Sequence, residues 1–164
     1  GLGDVYKRQG NPELTRQSKF RYQGKEYFKT GTNGRLLLDG SFELTGRSSR
    51  FYIISTLNKV YCDHVQMALN TIEGIESAAV VKHPDSKWLY VGHAFIILND
   101  KTMTSERIIK ELQKERKTFN GEVIQLKEYE TPKYFTVVEK FPRTKADKID
   151  YMELEKESLS IYGE

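Results

Sequence analysis

The side chain with the clearest chemical potential is Lys148, in the segment Phe141 to Asp150 that reads FPRTKADKID. A lysine carries a compact positive charge on a long flexible stem, so it can reach an anionic group and stabilise negative charge that develops during a reaction. Composition alone describes this segment as a solvated loop and Lys148 as one of 26 lysine and arginine residues. A catalytic role for Lys148 therefore needs support from elsewhere in the chain.

The other residue types that could do chemistry form no recognisable site. His64, His83 and His93 have no metal-ligand spacing with Cys62, the single cysteine of the chain. One cysteine excludes an internal disulfide and is typical of a reducing compartment. We therefore predict a buried Cys62 thiol, no metal site and a cytoplasmic protein.

A second informative segment runs from Tyr27 to Arg50, YFKTGTNGRLLLDGSFELTGRSSR. Asp39-Gly40 is a strong hairpin signal because both turn residues tolerate a positive φ, and Asn33-Gly34 predicts a second turn. Phe42 alternates with polar neighbours, which predicts a return strand with one buried face. Gly46 to Arg50 then predicts a flexible, cationic joint.

These segments resemble the adenylate-forming ligases, the superfamily of acyl-CoA synthetases, peptide-synthetase adenylation domains and luciferases. The Thr-Gly, Gly-Arg, Asp-Gly and Gly-Arg steps within Tyr27 to Arg50 resemble the end of that family's large lobe. Asn58 to Val65 (NKVYCDHV) resembles the loop and helix that begin its small C-terminal lobe. Phe141 to Asp150 resembles the signature that carries the family's catalytic lysine. Three motifs in the same order are more specific than any one alone.

The resemblance implies roles for four residues. Lys148 would be the catalytic lysine, which bonds the substrate carboxylate and the α-phosphate during adenylation. Thr32 and Arg47 would contact the nucleotide. Ser49 would be the hinge whose φ and ψ absorb the rotation between the adenylation and thioester-forming conformations.

Three positions depart from the family pattern. Thr32 stands where the family has an aspartate that accepts hydrogen bonds from both ribose hydroxyls. Asp147 replaces the glycine before the lysine, which restricts the loop and puts a carboxylate beside Lys148. Leu57 replaces a glycine near the pantetheine tunnel, which puts thioester formation in doubt.

The elements that must position these residues follow from the hydrophobic pattern. The fold class that we predict is α+β: a hairpin appendage followed by a small, mostly antiparallel sheet with helices packed on one face. The predicted strands are Phe51–Ser55, Lys59–Tyr61, Ser77–Lys82, Trp88–Leu98 and Tyr134–Val138, with a turn at His83–Ser86. The predicted helices are one capped by Asp63, one capped by Thr104 or Ser105, one within Thr118–Glu130 and one over Asp150–Lys156.

We predict three regions in this chain of 164 residues. Residues 1–26 are a leader and a poorly patterned segment, with a turn at Asn11–Glu13 and a charged hairpin or loop from Lys19 to Glu26. Residues 27–49 are the terminal hairpin and hinge of the large lobe, and residues 50–164 are the C-terminal lid domain. The family's large lobe holds several hundred residues, so we expect this chain to be a fragment of a longer enzyme.

Composition does not favour several other classes of protein. The net charge is only +3, too weak by itself to indicate binding to nucleic acid or to a membrane surface. No RNA-binding signature accompanies the aromatic and basic residues. No apolar run approaches the length of a membrane-spanning helix.

The function implied by the resemblance is that of an AMP-forming acid–thiol ligase. ATP with Mg²⁺ and a small carboxylic acid would give an acyl-adenylate, and CoA or a phosphopantetheine carrier would then take the acyl group. The expected partner is the large N-terminal lobe, and the chain alone should be inactive and bind no cofactor tightly. The alternative is a degenerate, non-catalytic lobe that docks onto a partner protein, which Thr32, Asp147 and Leu57 favour.

Overall fold

The computed structural model describes residues 12–36, 38–47, 50–117, 121 and 123–163. The chain divides into two compact units, residues 1–49 and residues 50–164. Each unit has its own helices and strands. No helix within the described ranges is both long and apolar enough to cross a membrane.

The N-terminal unit consists of a short helix and two β-hairpins. Helix α1 (Pro12–Gln17) precedes the hairpin of β1 (Lys19–Tyr22) and β2 (Lys25–Phe28), and β3 (Thr32–Leu36) pairs with β4 (Phe42–Arg47) in the second hairpin. In the β3–β4 turn, Asp39 Oδ1 accepts hydrogen bonds from the backbone N–H and hydroxyl of Ser41, and Gly40 has a φ of +83°. The predicted Asp39-Gly40 hairpin and the hairpin alternative for Lys19–Glu26 are both confirmed.

Three local predictions in this unit are wrong. Pro12 begins a helix instead of forming a turn, because its fixed φ suits the first helical position; Asn11 lies outside the described residues. Asn33 and Gly34 lie inside β3, where the pairing register shifts as in a β-bulge. Phe42 is 63% exposed, because two-stranded ribbons provide no second layer within the unit to cover it.

The C-terminal unit is built around a three-stranded sheet in the order β11–β8–β7. Strand β7 (Ile75–Asp85) is antiparallel to β8 (Leu89–Leu98), and β11 (Tyr134–Val137) is parallel to β8. The small hairpin of β5 (Phe51–Ile53) and β6 (Lys59–Tyr61) leads into the first helix of the unit. The remaining elements are α2 (Cys62–Asn70), α3 (Ser105–Leu112), the two-residue pair β9 (Arg116–Lys117) and β10 (Val123–Ile124), a 3₁₀ turn at Glu128–Glu130, and α4 (Tyr151–Tyr162).

Helices cover both faces of this sheet, so the prediction of one covered face is wrong while the α+β class is confirmed. Successive side chains of a strand point to opposite faces. Val80 packs in one core with residues of α2 and α3. Val81 packs in a second core with Phe141 of the Lys148 segment and Leu154 of α4. The second core therefore fixes both ends of the segment that carries Lys148.

Several element boundaries differ from prediction for identifiable reasons. Helix α2 begins at Cys62, and Asp63 is not its cap because its carboxylate pairs with Arg50. Strand β7 continues through His83 and Pro84, and the turn follows Asp85, whose Oδ1 accepts from two backbone N–H groups. Proline is tolerated there because β7 is an edge strand.

The described part of the segment Thr118–Glu130 contains a 3₁₀ turn at Glu128–Glu130 but not the predicted helix. Ile124 and Leu126 are both buried and are two residues apart, which is the strand period. Val123 and Ile124 pair with Lys117 and Arg116. Strand pairing and burial therefore override the helical pattern that the charged residues of this segment suggest.

Candidate active-site loop

Lys148 lies in a tight β-hairpin whose backbone is hydrogen-bonded on both sides of the tip. Thr144 N–H donates to the carbonyl oxygen of Lys148 at 2.7 Å, and Asp147 N–H donates to the carbonyl oxygen of Thr144 at 2.9 Å. The Thr144 hydroxyl accepts from Lys148 N–H at 3.3 Å, and Arg143 and Ile149 form a β-bridge. The segment that composition alone describes as a solvated loop is thus a hydrogen-bonded hairpin.

The hairpin is attached to the rest of the unit at both of its ends. Phe141 is 5% exposed and packs in the second core, together with the half-buried Ile149. Asp150 N–H donates to the carbonyl oxygen of Pro142 at 2.8 Å. The Asp150 carboxylate caps α4 by accepting from Met152 N–H and Glu153 N–H, each at 3.1 Å. The hairpin therefore has a fixed base on the sheet and on α4.

Asp147 holds a backbone conformation that normally favours glycine. Its φ is +57°, in the left-handed region that aspartate tolerates better than most residues. Asp147 is also the position at which the resembled family has a glycine. Asp147 therefore adopts a turn geometry that a glycine at this position would also allow.

The Lys148 side chain itself is exposed. Its ammonium makes no ion pair or hydrogen bond with any residue that the structure describes. An unpaired lysine on an ordered hairpin has the properties needed to contact an anionic group supplied from outside the lobe. Lys145, at the tip, is also exposed and provides an internal comparison.

A second left-handed residue lies in the loop between β5 and β6. Leu57 has a φ of +62° and is 87% exposed. The loop borders a cavity of about 520 Å³. The cavity walls include Tyr52, Ile54, Thr56, Asn58, Trp88 and Tyr129.

The structure brings together two of the residues predicted to contact the nucleotide. Thr32 and Arg47 are directly opposite each other in the β3–β4 hairpin. Thr32 is exposed, and its backbone N–H donates to the Thr30 hydroxyl at 3.3 Å. Ser49, the predicted hinge, lies outside the described residues.

Cys62 is a free, buried thiol, as predicted. Burial raises the pKa of Cys62 to about 11, so the thiol stays protonated and is a poor nucleophile near neutral pH. No group of three or more His, Cys, Asp and Glu side chains that could hold a metal ion occurs among the described residues.

Sequence reasoning missed a buried polar network between the sheet and α4. The Ser158 hydroxyl lies 2.8 Å from Nδ1 of His83 and 2.8 Å from Nδ1 of His93. His93 Nε2 lies 2.8 Å from the Thr136 hydroxyl. Burial, followed by the neighbouring His83, lowers the pKa of His93 to about 4. His93 on the otherwise apolar strand β8 was a local sign of this network, whose members are far apart in sequence.

The family of AMP-binding enzyme C-terminal domains matches residues 64–148, just over half of the chain. The chain is 33% identical over 124 residues to a 2-succinylbenzoate–CoA ligase of Listeria monocytogenes serotype 4b, covering 75% of this chain and 24% of that protein. It is 30% identical over 151 residues to the 2-succinylbenzoate–CoA ligase of Enterococcus faecalis, covering 90% of this chain and 29% of that protein.

Solved structures of related proteins share the fold. The ATP-bound MatB of Rhodopseudomonas palustris superposes with a TM-score of 0.72 at 21% identity, covering 92% of this chain and 27% of that chain. The o-succinylbenzoate CoA synthetase MenE of Bacillus subtilis, in complex with the acyl-adenylate OSB-AMP, gives 0.72 at 22% identity, covering 89% of this chain and 27% of that chain. The chain thus spans about a quarter of the length of each of these four proteins. The chain belongs to the family of AMP-binding enzyme C-terminal domains, the C-terminal part of the adenylate-forming ligases.

Proposed function

We propose that this chain is the C-terminal lobe of an ATP-dependent, AMP-forming ligase that activates a small carboxylic acid as an acyl-adenylate and passes the acyl group to a thiol. The observation that carries the proposal is Lys148: its ammonium is exposed and unpaired within the described structure, on a hairpin that packs on the sheet and caps α4. Membership of the family supports the same reaction class.

In this proposal Lys148 stabilises the negative charge that develops when the substrate carboxylate attacks the α-phosphate of ATP. Such transfers depend mainly on the placement of charges, so an ordered hairpin that presents one ammonium is well suited to the step. When bound, ATP with Mg²⁺ supplies the adenylyl group and the pyrophosphate leaving group. We place the adenine, phosphate and acyl pockets in a large N-terminal lobe, so residues 1–164 alone should be inactive.

Thr32 and Arg47 are the candidates for contacts to the nucleotide from the N-terminal unit. The register of this hairpin sets the two residues directly opposite each other. Thr32 fits the ribose less well than an aspartate, since one hydroxyl cannot accept two charge-assisted hydrogen bonds at once. We therefore expect weak nucleotide binding by this hairpin.

The acceptor thiol belongs to CoA or to a phosphopantetheine carrier. Two observations support a contact near the β5–β6 loop: the loop retains a left-handed residue at Leu57, and it borders the 520 Å³ cavity. The single buried thiol of the chain is compatible with a cytoplasmic enzyme.

The second candidate function is a non-catalytic lobe that docks onto a partner protein. The substitutions at Thr32, Asp147 and Leu57 favour it, because each removes a residue that the catalytic relatives use. It predicts that Lys148 can be replaced without consequence.

A lobe exchange distinguishes the two functions. Residues 50–164 replace the matching C-terminal lobe of the Listeria monocytogenes 2-succinylbenzoate–CoA ligase, and the product is assayed for acid-dependent exchange of pyrophosphate into ATP. The relative's own lobe, rejoined at the same junction, is the positive control, and residues 1–164 alone are the negative control. We expect exchange by the hybrid that is lost in Lys148→Ala. A folded hybrid that is equally inactive with and without Lys148 would favour the docking function.

A further inference from the structure

Arg50, the first residue of the C-terminal unit, is held by the unit's interior. Its Nη1 pairs with the Asp63 carboxylate, and its Nη2 donates to the carbonyl oxygen of Val80 at 2.8 Å and to Gln66 Oε1 at 3.3 Å. Its own carbonyl oxygen accepts from Cys62 N–H at 3.0 Å. Arg50 is therefore an anchor on α2 and β7, and the flexible joint predicted from Gly46 to Arg50 does not extend to Arg50.

The same guanidinium also contacts the start of α4. Its central carbon lies 3.4 Å from the centroid of the Tyr151 ring, within the range of a cation–π contact. The Tyr151 hydroxyl donates to Gln66 Oε1 at 3.2 Å, so the amide oxygen of Gln66 is shared by Arg50 and Tyr151. Tyr151 is three residues after Lys148 and directly follows the capping residue Asp150.

This arrangement requires an arginine. A guanidinium presents five donors in a planar fork and also stacks on an aromatic ring, so it can bond Asp63 and Val80 while it lies on Tyr151. The ammonium of a lysine has no planar face and cannot satisfy these directions at once. The Arg50 side chain is only 18% exposed and that of Asp63 only 20%, so water screens the pair less than it screens a surface ion pair.

We propose that Arg50 is a positioning residue that joins the start of the C-terminal unit to the base of the Lys148 hairpin, so that the two move as one body. The catalytic consequence rests on the function proposed above: a rotation about the preceding residues would then be transmitted to Lys148 without loss. The mechanical coupling can be tested whether or not Lys148 acts in adenylation.

The test is amide hydrogen exchange, followed by NMR, on residues 1–164 and their variants. The reporters are the N–H groups of Asp147 and Asp150, whose hydrogen bonds close the hairpin. The references are the N–H groups of Phe95 and Ile96 in the buried strand β8. Arg50→Ala should raise exchange at the reporters by about tenfold or more relative to the references, because local opening then needs less free energy than global unfolding.

The chain offers a matched control in Arg116. Its side chain is 17% exposed, pairs with the Glu111 carboxylate, and donates to the carbonyl oxygen of Thr71 at 3.4 Å. Arg116→Ala therefore removes a comparable half-buried ion pair away from the hairpin. It should leave the ratio of reporter to reference exchange within about twofold of the parent.

Substitutions at Tyr151 keep the proposal testable if Arg50→Ala does not fold. Tyr151→Leu removes the ring under the guanidinium and should reproduce the selective loosening of the hairpin. Tyr151→Phe keeps the ring, so its ratio of reporter to reference exchange should stay near that of the parent. The proposal is overturned if Arg50→Ala or Tyr151→Leu changes reporters and references in equal proportion, since Arg50 would then stabilise the unit generally and position nothing.

Discussion

Arg143 Nη1 donates to the carbonyl oxygen of Asp147 at 2.9 Å, immediately before Lys148. The same nitrogen lies 3.9 Å from Asp147 Oδ1. Because the Asp147 side chain is 91% exposed, this ion pair contributes little to stability, and the hydrogen bond to the backbone is the more important contact. The tip of the hairpin is thus braced by a side chain from its opposite arm, while the Lys148 ammonium stays free of any partner that the structure describes.

The positive φ of Asp147 predicts an inverted order of stability for glycine and alanine. At an ordinary position alanine stabilises the folded state relative to glycine, but at a φ of +57° the alanine Cβ is strained. We expect the free energy of unfolding of the Asp147→Gly variant to be about 1 kcal/mol higher than that of the Asp147→Ala variant. Urea denaturation of residues 1–164 measures the difference, and an alanine variant as stable as the glycine variant would show that the turn is not left-handed.

The same reasoning applies to Leu57 with a simpler readout, because its exposed side chain makes few contacts to lose. Leu57→Gly should be more stable than Leu57→Ala by about 1 kcal/mol. A pair of substitutions at Leu159, an exposed residue inside α4, serves as the control, and there alanine should be the more stable by a similar amount. The same order at both sites would contradict the left-handed assignment of Leu57.

The histidine network predicts that the free energy of unfolding decreases when the pH is lowered from neutral into the acidic range. Burial lowers the pKa of His93 to about 4 in the folded chain. In the unfolded chain its pKa is about 6.5, so between these two values only the unfolded chain binds the proton. The free energy of unfolding should therefore decrease as the pH falls below about 6.5, by on the order of 2–3 kcal/mol by pH 4.5. Burial also lowers the pKa of His83, which adds to the decrease.

Urea denaturation between pH 7.5 and pH 4.5 measures this decrease. His93→Gln does not titrate, and its amide can still bond the Ser158 and Thr136 hydroxyls, so the variant should show a flatter profile. Asp85 contributes little in this window: the hydrogen bond from Lys133 holds its carboxyl pKa below the usual value, and the stability that this adds is lost only at about pH 4 and below, where the unfolded carboxyl binds its proton. A parent profile that is flat from pH 7 to pH 5 would mean that His93 accepts its proton in the folded state.

The proposed hinge at Ser49 makes a prediction for the complete enzyme. Proline fixes φ near one value, so Ser49→Pro should spare one half-reaction and impair the other. The adenylation rate is measured by pyrophosphate exchange into ATP. The rate of thioester formation is measured by the appearance of thioester from supplied acyl-adenylate. Equal loss of both half-reactions in a folded variant would place the pivot at another residue.

The fold could be predicted from sequence wherever the determining interactions are local. Thr104 caps α3 with a hydrogen bond from Arg107 N–H, as its position before an amphipathic run predicted. Asp39-Gly40 forms its turn through contacts within three residues. Element type was predicted wrongly where pairing with another strand decides it: Val123 and Ile124 are strand because Lys117 and Arg116 pair with them, and His83 is strand because it pairs with Val91.

The candidate site shows the same division. Lys148 could be identified by its motif, but its presentation on a hydrogen-bonded hairpin depends on contacts that no local pattern reveals. Ser158 lies 75 residues from His83, and Arg50 bonds the carbonyl of Val80, 30 residues away. The first pairing follows from the packing of α4 on β7 and the second from the position of Arg50 beside α2 and β7, and the sequence pattern specifies neither.

The central claim is that the Lys148 side chain acts in adenylation, and its removal in the complete enzyme is the most direct test. Only the backbone of Lys148 bonds within the hairpin, so Lys148→Ala should leave the fold and its stability nearly unchanged. Lys145→Ala, in the same exposed tip, is the matched control and should retain activity.

The decisive measurement is the rate of acyl-adenylate formation in Lys148→Ala, compared with its rate of thioester formation from supplied acyl-adenylate. We predict a loss of roughly a hundredfold or more in adenylation, the scale of one preorganised electrostatic contact, with thioester formation within a few-fold of the parent. Adenylation at the parent rate in Lys148→Ala would contradict the account.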